Sequence, residues 1–589
     1  MSRTRKKESF YTKVNRRQVV IPPTETRITP AYYIQKHIDR ELATITPTLP
    51  FYRSVVQAEG QIPDGLSPLL TLAMTTDDVV GVIGWMNRYG IPAPLSLYIT
   101  GDIRHNTTCQ IVVDPGQLNI GHASYWHKVD KRRAYTHYVN TLATLTGLPL
   151  AEGLAAEHEM AGLWPDVESV DYTMMSLPWT SMLMNWGLGS VGSQVSVYAP
   201  FFHHFNARLM AWPIRRWRIW LTLCIVQWIA GCSPHGPLRT AWFAYNRRFL
   251  KGQFADIPAA ALRSALTCYA MPNTVGKLWV ARFGDTTVRR RARTMVGVIV
   301  RAAIVSLKAS WMAASTKAAA IHKLRRMDIQ VGWPSEWPTY PVIIGDNYVE
   351  NLMAIGAAAT DAMLARRSCR HEAGWGRPVF DVNAYYYPSE NRFVLPAAIL
   401  RAPFYDPEKS LAYNYGAIGA TIGHELCHAF DSDGREYDEV GNKHMWWTVH
   451  DDHEYRKKTR KLVRLYGSRP YRGLPVSGKL TLVENLADVG GLEFALAGLR
   501  SVTTVGKAEL REFFTSYAAS WKSQDRQKDA AQRLIMNSHA PPMLRVDHVV
   551  RQFDEWYEAF DVGPDSSEWI APADRIRLFQ ADANTAEQG

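Results

Sequence analysis

HELCH, His424 to His428, sets two imidazoles four residues apart with a carboxylate beside the first. In a helix, residues i and i+4 lie on one face, so His424 and His428 can aim their nitrogens at one ion. Glu425 then stands next to the ion without filling its coordination shell. Zinc suits such a pair: it polarises a carbonyl and brings the pKa of water near neutrality, and the adjacent carboxylate takes the proton. That is the chemistry of amide hydrolysis. The competing reading is a surface helix with two unrelated histidines. The preceding stretch, LAYNYGAIGATIG (Leu411 to Gly423), is small, apolar and uncharged, as expected of a helix buried on nearly all sides. Cys427 lies between the histidines but off their face, and reads as a small buried residue rather than a thiolate ligand.

A water-activating zinc needs a third protein ligand and an open fourth position. VENLADVGG (Val483 to Gly491) offers Glu484 and Asp488, again four apart, one to bind metal and one to accept the N–H of a zinc histidine. Gly490 and Gly491 would let this helix approach its neighbour closely. Without HELCH, the same segment reads as a capped surface helix with two solvated acids.

Four blocks in order then carry a resemblance. GAIGATIGHELCHAFDSDGREYDEVGNKHMWWT (Gly416 to Thr448) closely resembles the zinc helix of the neprilysin-like peptidases, a gluzincin family that includes endothelin-converting enzymes and bacterial oligopeptidases. NAYYYPSENRFVLPAAILRAPFYD (Asn383 to Asp406) is similar to the family's substrate-binding hairpin, VENLADVGGL to its third-ligand helix, and SHAPPMLRV (Ser538 to Val546) to its transition-state loop. More weakly, SFYTKVNRR (Ser9 to Arg17), Trp311 to Tyr340 and EWIAPADRIRLF (Glu568 to Phe579) resemble further family blocks.

The resemblance implies one Zn2+ per chain, held by His424, His428 and Glu484, with Glu425 as general base and Asp488 orienting His424. It assigns oxyanion stabilisation to His539 and a hydrogen bond to the substrate backbone to Arg545, whose rigid donor fork suits a carbonyl. Asn383 and the Ala384 backbone would hold an extended peptide at the hairpin. Ile399, Phe404 and Trp521 would line the main specificity pocket, which favours a hydrophobic residue just after the cleaved bond. The hairpin itself reads as strands over 380–387 and 392–396 around a turn at Pro388 to Asn391, with an edge open to strand addition.

Some positions depart from the family pattern. Asn537 stands two residues before His539 where an acid is usual, Asp547 and Gln552 replace asparagines, and Arg16 replaces a glycine. With a chain short for the family, these changes motivate a second expectation, a specialist amide hydrolase trimming one precursor. A non-catalytic peptide-binding protein is the third.

Composition fits a folded enzyme of two or more domains: 589 residues, 47% hydrophobic. The fold expected is mainly α with a small β-sheet, a thermolysin-like catalytic domain plus a helical capping domain enclosing the active site. Residues 1–50 would complete the catalytic domain, 51–335 would form the cap and 336–589 the zinc domain. The boundary falls at GWPSEWPTYP (Gly332 to Pro341), after an amphipathic helix expected over Arg293 to Met327. Ala581 to Gly589 reads as a loose tail. Six cysteines look like free thiols, and the basic start carries no apolar stretch of a leader or membrane anchor, so a cytoplasmic protein is expected. A net charge of +12 raises nucleic acid as a partner, but the basic cluster from Arg289 to Arg326 has neither interleaved aromatics nor a recognised module. It reads as solvated helix faces. The expected partner is an oligopeptide substrate.

Overall fold

The computed structural model describes residues 8–58, 67–75, 77–101, 109–164, 172–176, 179–188, 194–339, 341–365 and 375–579; the tail at 581–589 lies outside them. Helices dominate, and the strands form small sheets. Large aromatic and aliphatic side chains gather in two main cores. One is built from residues between Phe51 and Leu352, the other from Phe10 and residues between Ala292 and Phe579. A smaller cluster joins Ile34, Ile38 and Leu42 to Trp279, Val379 and Val394. The first core includes a four-stranded sheet in the order 95–101, 109–115, 194–198, 172–176, which sequence reading did not find.

The chain around HELCH is one continuous helix with a change of pitch. Leu411–Asn414 is α-helical, Tyr415–Gly419 forms a π turn, and Ala420–Cys427 resumes the α-helix. It crosses Leu482–Val502, a helix buried along most of its length. The crossing depends on missing side chains. A Cβ on Gly423 would stand 2.1 Å from the Gly491 carbonyl oxygen, and one on Gly491 would stand 2.3 Å from the His424 nitrogen. The backbones therefore touch where the first histidine begins.

The remaining elements hold this pair in place. Thr286–Lys308 packs against both helices. The expected single helix over 293–327 is two, because the chain breaks between Lys308 and Ala314. There Asp451 accepts from the Ala313 N–H (3.1 Å) and the Thr316 hydroxyl (2.6 Å), and Trp311 Nε1 donates to the Leu578 carbonyl. Buried polar partners override amphipathic continuity at this point. The chain start reaches the far end: the Tyr11 N–H donates to Asp547, and Arg27–Ile28 pairs with Gln524–Asp525. Gln552 accepts from the Ile576 N–H at 2.8 Å. Both departures from the family asparagines thus have bonding partners.

In the hairpin, only Tyr385–Tyr387 is strand; it pairs antiparallel with Arg392–Pro396, which pairs parallel with Asp328–Gly332 on its other side. The expected strand from 380 begins only at Tyr385, which pairs with Val394, although the partner strand runs on to Pro396. Asn391 makes the turn in the left-handed region (φ 45°), its side chain donating to the Lys323 and Glu439 carbonyls.

Overpacking this helix crossing should be costly. Gly423→Ala is expected to lower stability by about 2 kcal/mol or more and to weaken metal binding, measured by denaturant melts and metal titration. Wild-type stability with wild-type affinity would contradict the close-contact account.

Candidate active site

Gly423 and Gly491 bring His424 opposite Glu484 and Asp488. His424 Nε2 lies 3.1 Å from Glu484 Oε2 and 3.1 Å from His428 Nε2, and His428 Nε2 lies 4.0 Å from the same carboxylate oxygen. Donors around a tetrahedral zinc at 2.0–2.1 Å stand roughly 3.3 Å apart, close to this triangle. Each histidine is braced through its other nitrogen: His424 Nδ1 is 2.9 Å from Asp488, and His428 Nδ1 is 2.5 Å from Asp431. Such outer partners fix ring orientation and raise ligand basicity. Asp431 is a residue that sequence reading missed; its i+3 spacing from His428 was the available signal.

The residues fit a divalent cation. Glu484 Oε2 is buried and lacks a hydrogen bond of good geometry. Glu425, Asp431, Glu484 and Asp488 are all buried here, a concentration of carboxylates that a bound cation would relieve. The titrating groups respond in kind. Burial opposes a charge on His424, but the carboxylates of Asp488 and Glu484 close to its two nitrogens outweigh it and push its pKa up to about 10. Burial likewise works against Glu484, yet His424 and His539 hold it well below the usual carboxylate range. Burial raises Glu425. Cys427 points away, its thiol donating to the Leu486 carbonyl at 3.6 Å.

A cavity of about 300 Å³ opens on His424 and Glu425. It is lined by Asn383, Ile399, Phe404, Trp521, His539 and Arg545, together with Asp488. Ala384, the next residue after Asn383, is buried and is not among the lining residues. Arg545 forks onto Asp488 through Nε (2.6 Å) and a terminal nitrogen (2.7 Å), and its guanidinium lies 3.8 Å over the Trp521 ring. One carboxylate therefore positions both a histidine and the arginine. His539 Nε2 is 3.2 Å from Glu484 Oε2, while its Nδ1 is 2.9 Å from Asn537 Oδ1, which also accepts from the His539 backbone N–H. The amide orients the ring without adding a negative charge. Arg27, Thr29, Pro30, Lys522 and Arg533 also line the cavity and were not found from sequence, since none belongs to a block with chemical spacing. A larger cavity of about 550 Å³, near Met271, Ile355 and Arg377, has no histidine or carboxylate in its described lining.

Behind the histidines, Lys323 corrects the reading of a solvated basic face. Its ammonium is buried and donates to the carbonyls of Ala429 (3.0 Å), Gly434 (2.6 Å) and Tyr437 (2.6 Å). Asp431 is anchored in the same loop by the N–H groups of Asp433 and Gly434. Arg289 is likewise tied down, donating to the Val331 and Trp333 carbonyls. The five described cysteines are free thiols, and no helix of the described residues is long and apolar enough to cross a membrane.

Comparison with known proteins agrees with this arrangement. Peptidase family M13 matches in two parts, residues 36–334 and 383–576. A neutral endopeptidase of Lactobacillus helveticus is 35% identical over 275 residues, 46% of this chain and 42% of that relative, so the match spans under half of the relative's length. Two solved structures share the fold over 98% of this chain. Zinc metalloprotease Zmp1 of Mycobacterium tuberculosis, in complex with an inhibitor, aligns over 98% of its own chain with a TM-score of 0.90 at 24% identity. PepO of Lactobacillus rhamnosis HN001 aligns over 99% of its chain with a TM-score of 0.87 at 22% identity.

Removing the Lys323 ammonium should disturb the site from behind. Lys323→Met leaves three carbonyls without their donor and is expected to cost about 3 kcal/mol or more, with weaker metal retention, read by thermal melts and metal analysis after dialysis. An unchanged melt would show that the loop holds itself.

Proposed function

Because the chain belongs to peptidase family M13, we propose that it is a zinc-dependent endopeptidase that cleaves oligopeptides on the amino side of hydrophobic residues. The observation that carries this reading is the triangle of His424, His428 and Glu484, whose His424 corner opens on a cavity also lined by Glu425, His539 and Arg545. Together these are the ligand set, the base and the donors that amide hydrolysis requires.

Zinc bound by His424, His428 and Glu484 would supply Lewis-acid polarisation of the scissile carbonyl and a water of near-neutral pKa. The protein supplies the rest. Glu425 takes a proton from the attacking water and returns it to the leaving amine, a task that suits a carboxylate whose pKa burial has raised. With Asn537 Oδ1 taking its Nδ1–H, His539 donates through Nε2 as an imidazolium to the oxygen that gains charge as the carbonyl becomes tetrahedral. Burial and the Arg545 charge lower its pKa to about 3, so that developing negative charge has to offset them. Arg545 is held rigid by Asp488 and Trp521, so it binds a substrate carbonyl with little loss of its own freedom. Asn383, just before the strand Tyr385–Tyr387, is placed to hold the peptide backbone along that edge. Ile399, Phe404 and Trp521 form an apolar wall beside Glu425, which favours a hydrophobic side chain after the cleaved bond. At about 300 Å³ the cavity is at the small end for ligand pockets, consistent with short extended peptides as substrates.

Zinc-loaded protein and its Glu425→Gln variant, incubated with a mixed peptide library and read by mass spectrometry, test this directly. Many Glu425-dependent cleavages before hydrophobic residues are expected, abolished by chelation and restored by zinc. A single product would indicate a specialist hydrolase, and no cleavage would overturn the peptidase reading.

A further inference from the structure

Four cationic side chains line the cavity, and two of them are already matched. Arg545 is forked onto Asp488, and Arg27 Nε lies 2.8 Å from Asp525. Lys522 and Arg533 have no ion pair among the described residues. Lys522 directly follows Trp521 of the apolar wall. Arg533 sits on the helix Gln527–Met536, whose end leads into Asn537 and His539. It is also part of a small adjoining cavity with Asp525 and His539.

Such a cation is out of balance. Burial lowers the pKa of Arg533 and the charge of Arg27 lowers it further; Asp529 and Asp525 oppose them without forming an ion pair with it, and Arg545 adds a smaller lowering. A partly desolvated arginine among other cations is relieved by an incoming anion. Walls of low dielectric also concentrate the field of unpaired cations on whatever enters the cleft. The protein's net charge of +12 adds attraction at longer range.

Resting on the peptidase reading above, we propose that Arg533 and Lys522 are specificity-determining residues that select peptides with an acidic side chain one or two residues beyond the hydrophobic residue that follows the cleaved bond. The shared chemistry is a carboxylate, and the alternative source is the peptide's own C-terminus.

Peptides that differ only in Glu, Gln or Lys at those positions, all C-terminally amidated, separate the two, together with a Gln peptide bearing a free C-terminus. The readouts are kcat/KM with wild type, Arg533→Gln, Arg533→Glu and Lys522→Gln, and in parallel binding to the Glu425→Gln protein by fluorescence anisotropy. The Glu-to-Gln ratio is the measured quantity, so it does not depend on each variant's absolute activity. Wild type is expected to favour Glu roughly ten-fold. Arg533→Gln and Lys522→Gln should each shrink that ratio, and Arg533→Glu should shift preference toward Lys. Equal handling of Glu and Gln by wild type, a ratio that survives both neutral variants, or a gain seen only with the free C-terminus would overturn the proposal. If no peptide is cleaved, the peptidase reading fails, and Glu-selective, Arg533-dependent binding alone decides this one.

Discussion

Two glycine positions, Gly423 and Gly491, let two buried helices touch backbone to backbone, and the approach of His424 to Glu484 and Asp488 rests on that contact. A side chain at either position would separate the histidines of one helix from the carboxylates of the other. With them in contact, His424 meets Glu484 through one nitrogen and Asp488 through the other. The carboxylate oxygen of Glu484 then becomes a common neighbour of His424 and His428 from one helix and of His539 from a distant segment. Imidazoles and carboxylates held this way, away from water, are arranged for a cation that satisfies them together.

The supports run outward in connected layers. Asp488 serves His424 and Arg545 at once, so ligand geometry and substrate anchoring share one buried carboxylate. On the other side, Asp431 serves His428 from a loop that Lys323 clamps through three carbonyls. Lys323 comes from the helix Ala314–Arg326, whose start is tied to Asp451. A perturbation far from the histidines therefore reaches them through bonded groups rather than through general loosening.

Much of this was legible in the sequence because its spacings are helical. HELCH and ENLAD each place two functional groups four apart, and the small residues around them announce a close crossing. Other parts were hidden for physical reasons. Lys323 looks like any lysine in a basic stretch, since its burial depends on a loop more than a hundred residues away. The helix break after Lys308 depends on Asp451, a residue far along the chain. Lys522 and Arg533 carry no spacing at all. Their standing comes from which carboxylates are already taken, a property of the folded charge distribution.

The central claim is that His424, His428 and Glu484 hold one zinc ion. X-ray absorption at the zinc edge on stoichiometrically loaded protein tests it most directly. The account predicts one zinc per chain with two imidazole nitrogens and a carboxylate oxygen at about 2.0–2.2 Å, and weaker imidazole scattering or loss of the zinc in His424→Ala. A sulfur neighbour at about 2.3 Å, which would bring Cys427 into the shell, or a spectrum unchanged by His424→Ala would contradict it.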